Sequence, residues 1–307
     1  MATTNVQIHS IAQGTMLVPT LFGCKPGTES GIVVVGIPYD HGATVQYGAS
    51  KSPAALRFLT SPLKLEQGKA IYVDGCTTPI VKQLSISDFG DIKYSADQQR
   101  NAYLSNCENT IHKLLTQGKV VLVLGGDHTA ALPTIRAHAR IAERFQIVHI
   151  DAHTDFAPIS DGNAVPTHAN FMSYVSRLAN IERIIQIGVR AITSQPPQLP
   201  TLFKAATMAT LRVALIPKLP AYLTIDTDGF DPYLAPAVGF PEPGGLNWTA
   251  LEEVLTILSE MQCNLIGADW CEYNPVFDSH NNITGIHIAR SLLKLIEALH
   301  NLTCPRV

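Results

Sequence analysis

The sequence predicts an α/β protein, a three-layer α/β/α sandwich around a central, mostly parallel sheet. Three observations predict it. Apolar runs of five or six residues (VVLVL, FQIVHI, AYLTI) stand between turn signals, and a run that is apolar throughout reads as a strand buried on both faces. Helical stretches separate these runs, and such alternation means parallel strands joined by crossovers. Each of the three runs also closes on acidic or imidazole side chains: Gly125-Gly126-Asp127-His128, Asp151-Ala152-His153-Thr154-Asp155 and Asp226-Thr227-Asp228. Open parallel sheets hold their ligands just beyond the carboxyl ends of such strands.

Taken in order, residues 1–30 are polar and irregular and read as an N-terminal arm, with 31–307 as one domain. Ile32–Ile37 is β-branched and reads as the first core strand. Pro53 at a first helical position predicts a helix over Ser52–Thr60, capped by Ser52. Ile71–Val73 and Leu84–Ile86 are weaker strands. Asp97–Gln117 is helical, with Leu104, Ile111, Leu114 and Leu115 along one face and Gly118 as its stop. Strand Val120–Leu124 then leads to helix Ala130–Ala142, and strand Gln146–Ile150 to a helix near Asn170–Leu178. Strand Arg183–Ile187 precedes a Pro-rich loop, Gln195–Pro200. Strand Ala221–Ile225 is followed by a long Pro/Gly loop from Phe230 to Gly245. Helix Thr249–Met261, strand Asn264–Ala268 and helix Ile288–Leu299 complete the chain.

Composition narrows the function. Apolar residues make up 46% of the 307, enough for a large core, and charged residues only 15%. That low charge predicts subunit interfaces and a homo-oligomer. A net charge of −3 gives no footprint for nucleic acid. The absence of any run of about 18 apolar residues predicts no membrane span and a cytoplasmic protein. The cysteines at 24, 76, 107, 263, 271 and 304 contain no CxxC pair, which predicts reduced thiols.

Residues two apart on a strand point the same way. Asp151 and His153 therefore project together, as do Asp226 and Asp228. Asp155 returns to them if the chain turns after His153, and His128 arrives from a neighbouring strand end. Two histidines and four aspartates make six candidate ligands. Four carboxylates crowd together only around cations, and six ligands with shared carboxylates suit two ions better than one. The oxygen-rich, nitrogen-containing set favours Mn²⁺ over a thiolate-type zinc site, with Ni²⁺ and Co²⁺ as alternatives. A phosphoesterase would want cationic residues here, and the three motifs contain no Lys or Arg.

GGDHT, DAHTD and DTDGFDP resemble the three signature motifs of the ureohydrolase superfamily, the arginases, agmatinases and their relatives. GIPYDHGAT, IQIGVR, FPEPGGLNW and DWCEYNP agree, over roughly residues 31 to 300. PEPGGL and the Glu of DWCEYNP place the likeness nearer the agmatinase branch. The resemblance implies an arginase-like fold and two manganese ions. His128, Asp151, Asp155 and Asp226 would hold one, and Asp151, His153, Asp226 and Asp228 the other. Glu272 corresponds to the carboxylate that holds the substrate guanidinium, and His168, in PTHANF, to the histidine that shuttles a proton at the mouth. The implied reaction hydrolyses a guanidino group to urea and a primary amine, with Asp155 carrying a proton to the leaving nitrogen. The implied assembly is a homotrimer or homohexamer.

The chain departs from the agmatinase pattern in its loops. Residues 45–53 lack the usual Arg and Gly-Pro, and Ala237-Val238-Gly239-Phe240 replaces the small residues before PEPGGL. The stretch Ser160-Asp161-Gly162-Asn163 echoes the loop with which arginases meet an amino-acid head group, which makes Asn163 a candidate substrate contact. The metal centre reads only the guanidinium, so specificity lives in these loops. A small amine- or acid-tailed guanidino compound is expected first. A peptide arginase, making ornithine from arginine within a peptide, and a low-activity partner subunit of this fold are the alternatives.

Overall fold

Val33 and Val35 face one way from the strand Ile32–Ile37, Ile32 and Val34 the other, and all four are buried. The computed structural model describes residues 19–44, 46–95, 98–159, 165–194, 199–278 and 281–303. Its strands are β1 (Lys25–Pro26), β2 (Ile32–Ile37), β3 (Ile71–Tyr72), β4 (Pro79–Val81), β5 (Ile86–Asp91), β6 (Val120–Gly125), β7 (Phe145–Ile150), β8 (Ile181–Ile187), β9 (Phe203–Ala206), β10 (Ala221–Asp226) and β11 (Leu265–Cys271). The helices are α1 (Ser52–Thr60), α2 (Arg100–Thr116), α3 (Ala131–Ala139), α4 (Phe171–Val175), α5 (Leu211–Ala214), α6 (Ala250–Glu260) and α7 (Ile283–Thr303).

Nine strands form one sheet in the order β1-β5-β2-β6-β11-β10-β7-β8-β9, and every pairing in it is parallel. β3 and β4 make a separate antiparallel ribbon. Alternate side chains enter opposite layers. Ile32, Val34, Leu122, Leu124 and Ile225 pack with Leu56 of α1, Val254 of α6 and Leu292 of α7. Val33, Val35, Val121 and Val123 pack with Tyr103, Leu104 and Ile111 of α2, and Ile147 and Ile184 with Ile135 of α3 and Phe171 of α4. Each large buried aliphatic side chain contributes about 1.5–3 kcal/mol.

Chain order and sheet order differ where the chemistry lies. From β6 the chain passes over two positions to β7, runs outward through β8 and β9, and returns to fill the gap with β10 and β11. His128 therefore does not reach Asp151 from an adjacent strand, as the sequence suggested. Two strands separate β6 from β7, and Glu272 directly follows one of them, β11. The four carboxyl ends of β6, β11, β10 and β7 lie side by side.

The other differences are local. Of the weak strand expected at Leu84–Ile86 only Ile86 is strand; it opens β5, which runs on to Asp91 inside the sheet. Its two aspartates are met by Arg57, whose guanidinium forks onto Asp88 at 2.8 Å and also pairs with Asp91. Asp88 further accepts from the backbone N–H of Leu21, and Leu21 and Phe22 are fully buried. Within the segment expected to be an arm, residues 19–30 thus pack onto the sheet and add β1 to its edge. Helix α1 carries no side-chain cap from Ser52; a 3-10 turn, Ala49–Lys51, leads into it instead. β9 and α5 were not foreseen, and α7 starts five residues before Ile288. Among the described residues no helix is long and apolar enough to cross a membrane, and the five described cysteines are free.

Candidate metal centre and active site

Two close backbone approaches shape the floor of the site. A Cβ on Gly126 would lie 2.0 Å from the carbonyl oxygen of Tyr39, and one on Gly229 would lie 2.9 Å from the backbone nitrogen of Asp151. Only glycine lets these strand-end loops approach so closely. Beyond Gly126, Asp127 accepts from the N–H groups of Thr129 and Gly42, which starts the turn that presents His128. Asp155 and Glu272 adopt left-handed backbone at φ +52° and +63°, conformations that non-glycine residues rarely adopt and that recur at functional sites. For Asp155 this is the turn that the sequence required to bring its carboxylate back.

The ring of His128 is fully buried, and its Nδ1 faces three carboxylate oxygens: Asp226 Oδ2 at 3.1 Å, Asp151 Oδ2 at 3.2 Å and Asp155 Oδ2 at 3.5 Å. On the other side of Asp151, His153 Nδ1 lies 3.0 Å from Asp228 Oδ2 and 3.5 Å from Asp151 Oδ1. All six expected ligands converge, with Asp151 between two clusters. The mouth holds Glu272, whose Oε1 accepts from the backbone N–H of His128 at 3.0 Å and lies 2.9 Å from His168 Nδ1. His168 Nε2 meets the Thr44 hydroxyl at 3.2 Å. Asn163 lies outside the described residues. Phe240 stands over the mouth, its ring centroid 6.3 Å from that of His153 and 6.4 Å from that of His168.

Four side chains near the centre escaped sequence reasoning. His149 lies with Nε2 2.7 Å from Asp151 Oδ2, and its Nδ1 accepts from the Gln186 amide. Its position two residues before Asp151 on one strand was the available signal. Thr224 and Asp269 stand behind His128. Arg190, in the IQIGVR stretch, donates to the carbonyl oxygens of Asp228 at 2.7 Å, Gly229 at 3.3 Å and Pro243 at 3.1 Å, tying the Asp228 turn to the PEPGG loop. Asp231 braces that loop by accepting from the backbone N–H groups of Tyr233, Gly244 and Gly245. Arg190→Lys cannot reproduce the planar fork and is expected to lower stability by about 1–3 kcal/mol, read as a lower Tm. An unchanged Tm would remove Arg190 from this role.

The donor set fits divalent cations. Asp151 Oδ2 is buried without a well-aligned hydrogen bond, and each cluster mixes imidazole nitrogen with carboxylate oxygen. The electrostatics agree. Burial, the Asp151 charge and Asp226 push Asp155 well above the usual carboxylate range, and burial with Asp228 and Asp151 does the same to Asp226. Burial and Asp151 raise Asp228 to about 6. For Asp151 burial is outweighed by His149, His128 and His153, which hold it well below that range. Burial opposes the His128 imidazolium, but Asp151 and Asp155 outweigh it and raise the group to about 9. The cation-free protein therefore retains protons that its unfolded chain has lost.

A pH dependence follows. The stability that His128 contributes is fully present below its ordinary value of 6.5 and disappears as pH rises through about 9. Asp228 acts in the same sense between 3.8 and about 6. The chelator-treated protein is expected to melt at lower temperature at pH 9 than at pH 6. Added Mn²⁺ should reverse the loss and release protons. A chelated Tm that climbs over this window would contradict the charge balance described.

Residues 30–297 match the family model described as Arginase family. An agmatinase of Neisseria meningitidis is 31% identical over 275 residues, covering 86% of this chain and 85% of its own. The chain belongs to the arginase family. Among solved structures, proclavaminate amidino hydrolase from Streptomyces clavuligerus superposes with a TM-score of 0.77 at 25% identity, covering 92% of this chain and 97% of its own. A hypothetical agmatinase from Burkholderia thailandensis gives 0.75 at 26%, covering 89% and 87%. The parallel sheet and its flanking helices thus belong to an architecture that this family member shares with those structures.

Proposed function

We propose that this chain is a hydrolase acting on C–N bonds in linear amidines. It would release urea from a small guanidino compound with an aliphatic, agmatine-like tail, using two Mn²⁺ ions. The observation that carries the reading is Glu272. A carboxylate on left-handed backbone, tied to the N–H of His128, offers a planar cation a charge-matched partner directly beside the ligand cluster.

His128, Asp151, Asp155 and Asp226 would hold one ion, and Asp151, His153, Asp226 and Asp228 the other. Bound there, the pair supplies an acidified water at neutral pH. Glu272 holds the guanidinium in place, so that its carbon meets the water without a search for orientation. Asp155 takes the proton of the attacking water and returns it to the departing amine nitrogen as the C–N bond breaks. His168 joins Glu272 to Thr44 and the exterior, a path for proton exchange with solvent. Phe240 offers an apolar wall to methylene groups behind the guanidinium.

The test is urea release from the Mn²⁺-loaded protein across agmatine, guanidino acids, arginine, guanidine and arginine-containing peptides. Amine-tailed substrates are expected to lead. Peptides leading would make the chain a peptide arginase, and metal uptake without urea from any compound would make it a silent partner subunit.

A further inference from the structure

Behind the ligand cluster, on the side away from the expected cations, four buried side chains form one hydrogen-bonded file. Tyr222 and Thr224 lie two apart on β10 and share a face, and Thr224 is the register partner of Asp269 on β11. The Tyr222 hydroxyl donates to Asp269 Oδ2 at 2.7 Å, and the Thr224 hydroxyl donates to Asp269 Oδ1 at 2.7 Å. The same Thr224 oxygen lies 2.9 Å from His128 Nε2. His128 Nε2 and Asp269 Oδ1 are 4.0 Å apart, too far for a direct bond. Tyr222, Thr224, Asp269 and His128 are all at 0% exposure, so water does not compete for these bonds.

Donor counting fixes the direction of the file. A threonine hydroxyl has one hydrogen, and Thr224 gives it to Asp269. Towards His128 it can only accept, so Nε2 must carry a proton whether the imidazole is neutral or charged. Nδ1 is then the nitrogen left to give up its proton to a cation, and Nδ1 is the atom facing Asp226, Asp151 and Asp155. Asp269 itself receives Tyr222, Thr224 and, at 3.5 Å, the Cys271 thiol. In all three contacts the partner supplies the hydrogen and Asp269 accepts it.

We propose that Asp269, acting through Thr224, is a positioning residue that locks a proton on His128 Nε2 and so reserves Nδ1 for the metal. The proposal rests on the dimetal reading above. A ring nitrogen of His128, an Asp269 oxygen and the Cys271 sulfur also lie within 4.8 Å of one another and by residue type suit a cation. Thr224 bonded to both His128 and Asp269 favours the hydrogen-bonded file over a third metal site.

The test compares Thr224→Val, which keeps the shape and removes the hydroxyl, with Thr224→Ser, which keeps the hydroxyl. Mn²⁺ affinity and stoichiometry are measured by titration, and folding by circular dichroism. Outer partners of metal-bound histidines are worth about 10–100-fold in affinity. Thr224→Val is expected to weaken one of two ions by that factor while remaining folded, and Thr224→Ser to restore it. Asp269→Asn should also weaken it, because an amide N–H facing Thr224 turns the hydroxyl round to donate to Nε2. In the Zn²⁺-loaded wild type, ring ¹⁵N spectra should show a protected Nε2–H on His128 that Thr224→Val exposes to exchange. Equal affinity in a folded Thr224→Val, equal weakening by Val and Ser, or three ions per chain would overturn the proposal. A wild type that takes up no Mn²⁺ would instead sink the dimetal reading beneath it.

Discussion

Asp226→Asn is expected to abolish urea release and to strip the protein of Mn²⁺ together. The carboxylate ends β10, and in the proposed ligand set it is shared by both ions. Its Oδ2 stands 3.1 Å from His128 Nδ1, while its Oδ1 already accepts the N–H of Asp228. An amide in its place keeps the shape but removes a negative charge, and offers N–H groups where a cation needs lone pairs. Loss of a partner outside the ligand shell costs about 10–100-fold in metal affinity. Loss of a shared ligand should exceed that range, with metal content and activity falling in parallel. The fold should survive, since a neutral amide relieves rather than adds to the charge repulsion that Asp226 meets from Asp228 and Asp151. A folded variant that keeps two ions and full activity would contradict the assignment.

That this site could be read from the sequence at all reflects its local construction. Asp151 with His153 and Asp226 with Asp228 need only strand periodicity to come together, and Asp155 needs one turn, which its left-handed φ provides. Apolar runs of five or six residues made the central strands equally plain, because strands buried on both faces show no alternation to misread. What stayed hidden is non-local. β5 reads ISDFGD, and its aspartates look like loop until Arg57 of α1 is seen to neutralise them. The insertion of β11 and β10 between β6 and β7 follows from crossover order, which no single stretch encodes. Thr224 and Asp269 meet through the register of two strands, so neither was visible as part of the His128 environment. In the long helix α7, Gly285 falls within the first turn, which masked a start earlier than Ile288.

Glu272→Gln is expected to separate substrate recognition from metal binding. The residue follows β11 directly, and its backbone N–H donates to the carbonyl of Gly126 at 2.7 Å while its side chain turns back over His128. It is only 9% exposed, so a guanidinium arriving there exchanges water for a partly desolvated ion pair. Removing one partner of such a pair costs about 3–5 kcal/mol. At tenfold per about 1.4 kcal/mol, that is on the order of 10²–10⁴ in kcat/KM. The glutamine can still accept the N–H of His128 through its amide oxygen, and the proposed ligands are untouched, so Mn²⁺ content and Tm should stay at wild-type values. The loss should also be nearly uniform across guanidino substrates, because Glu272 would meet the shared headgroup and not the tail. Phe240→Ala, by contrast, should alter the ranking of substrates through the apolar wall beside His153 and His168. A Glu272→Gln enzyme that loses metal, or that loses activity on one tail and not another, would place this carboxylate elsewhere in the chemistry than beneath the guanidinium.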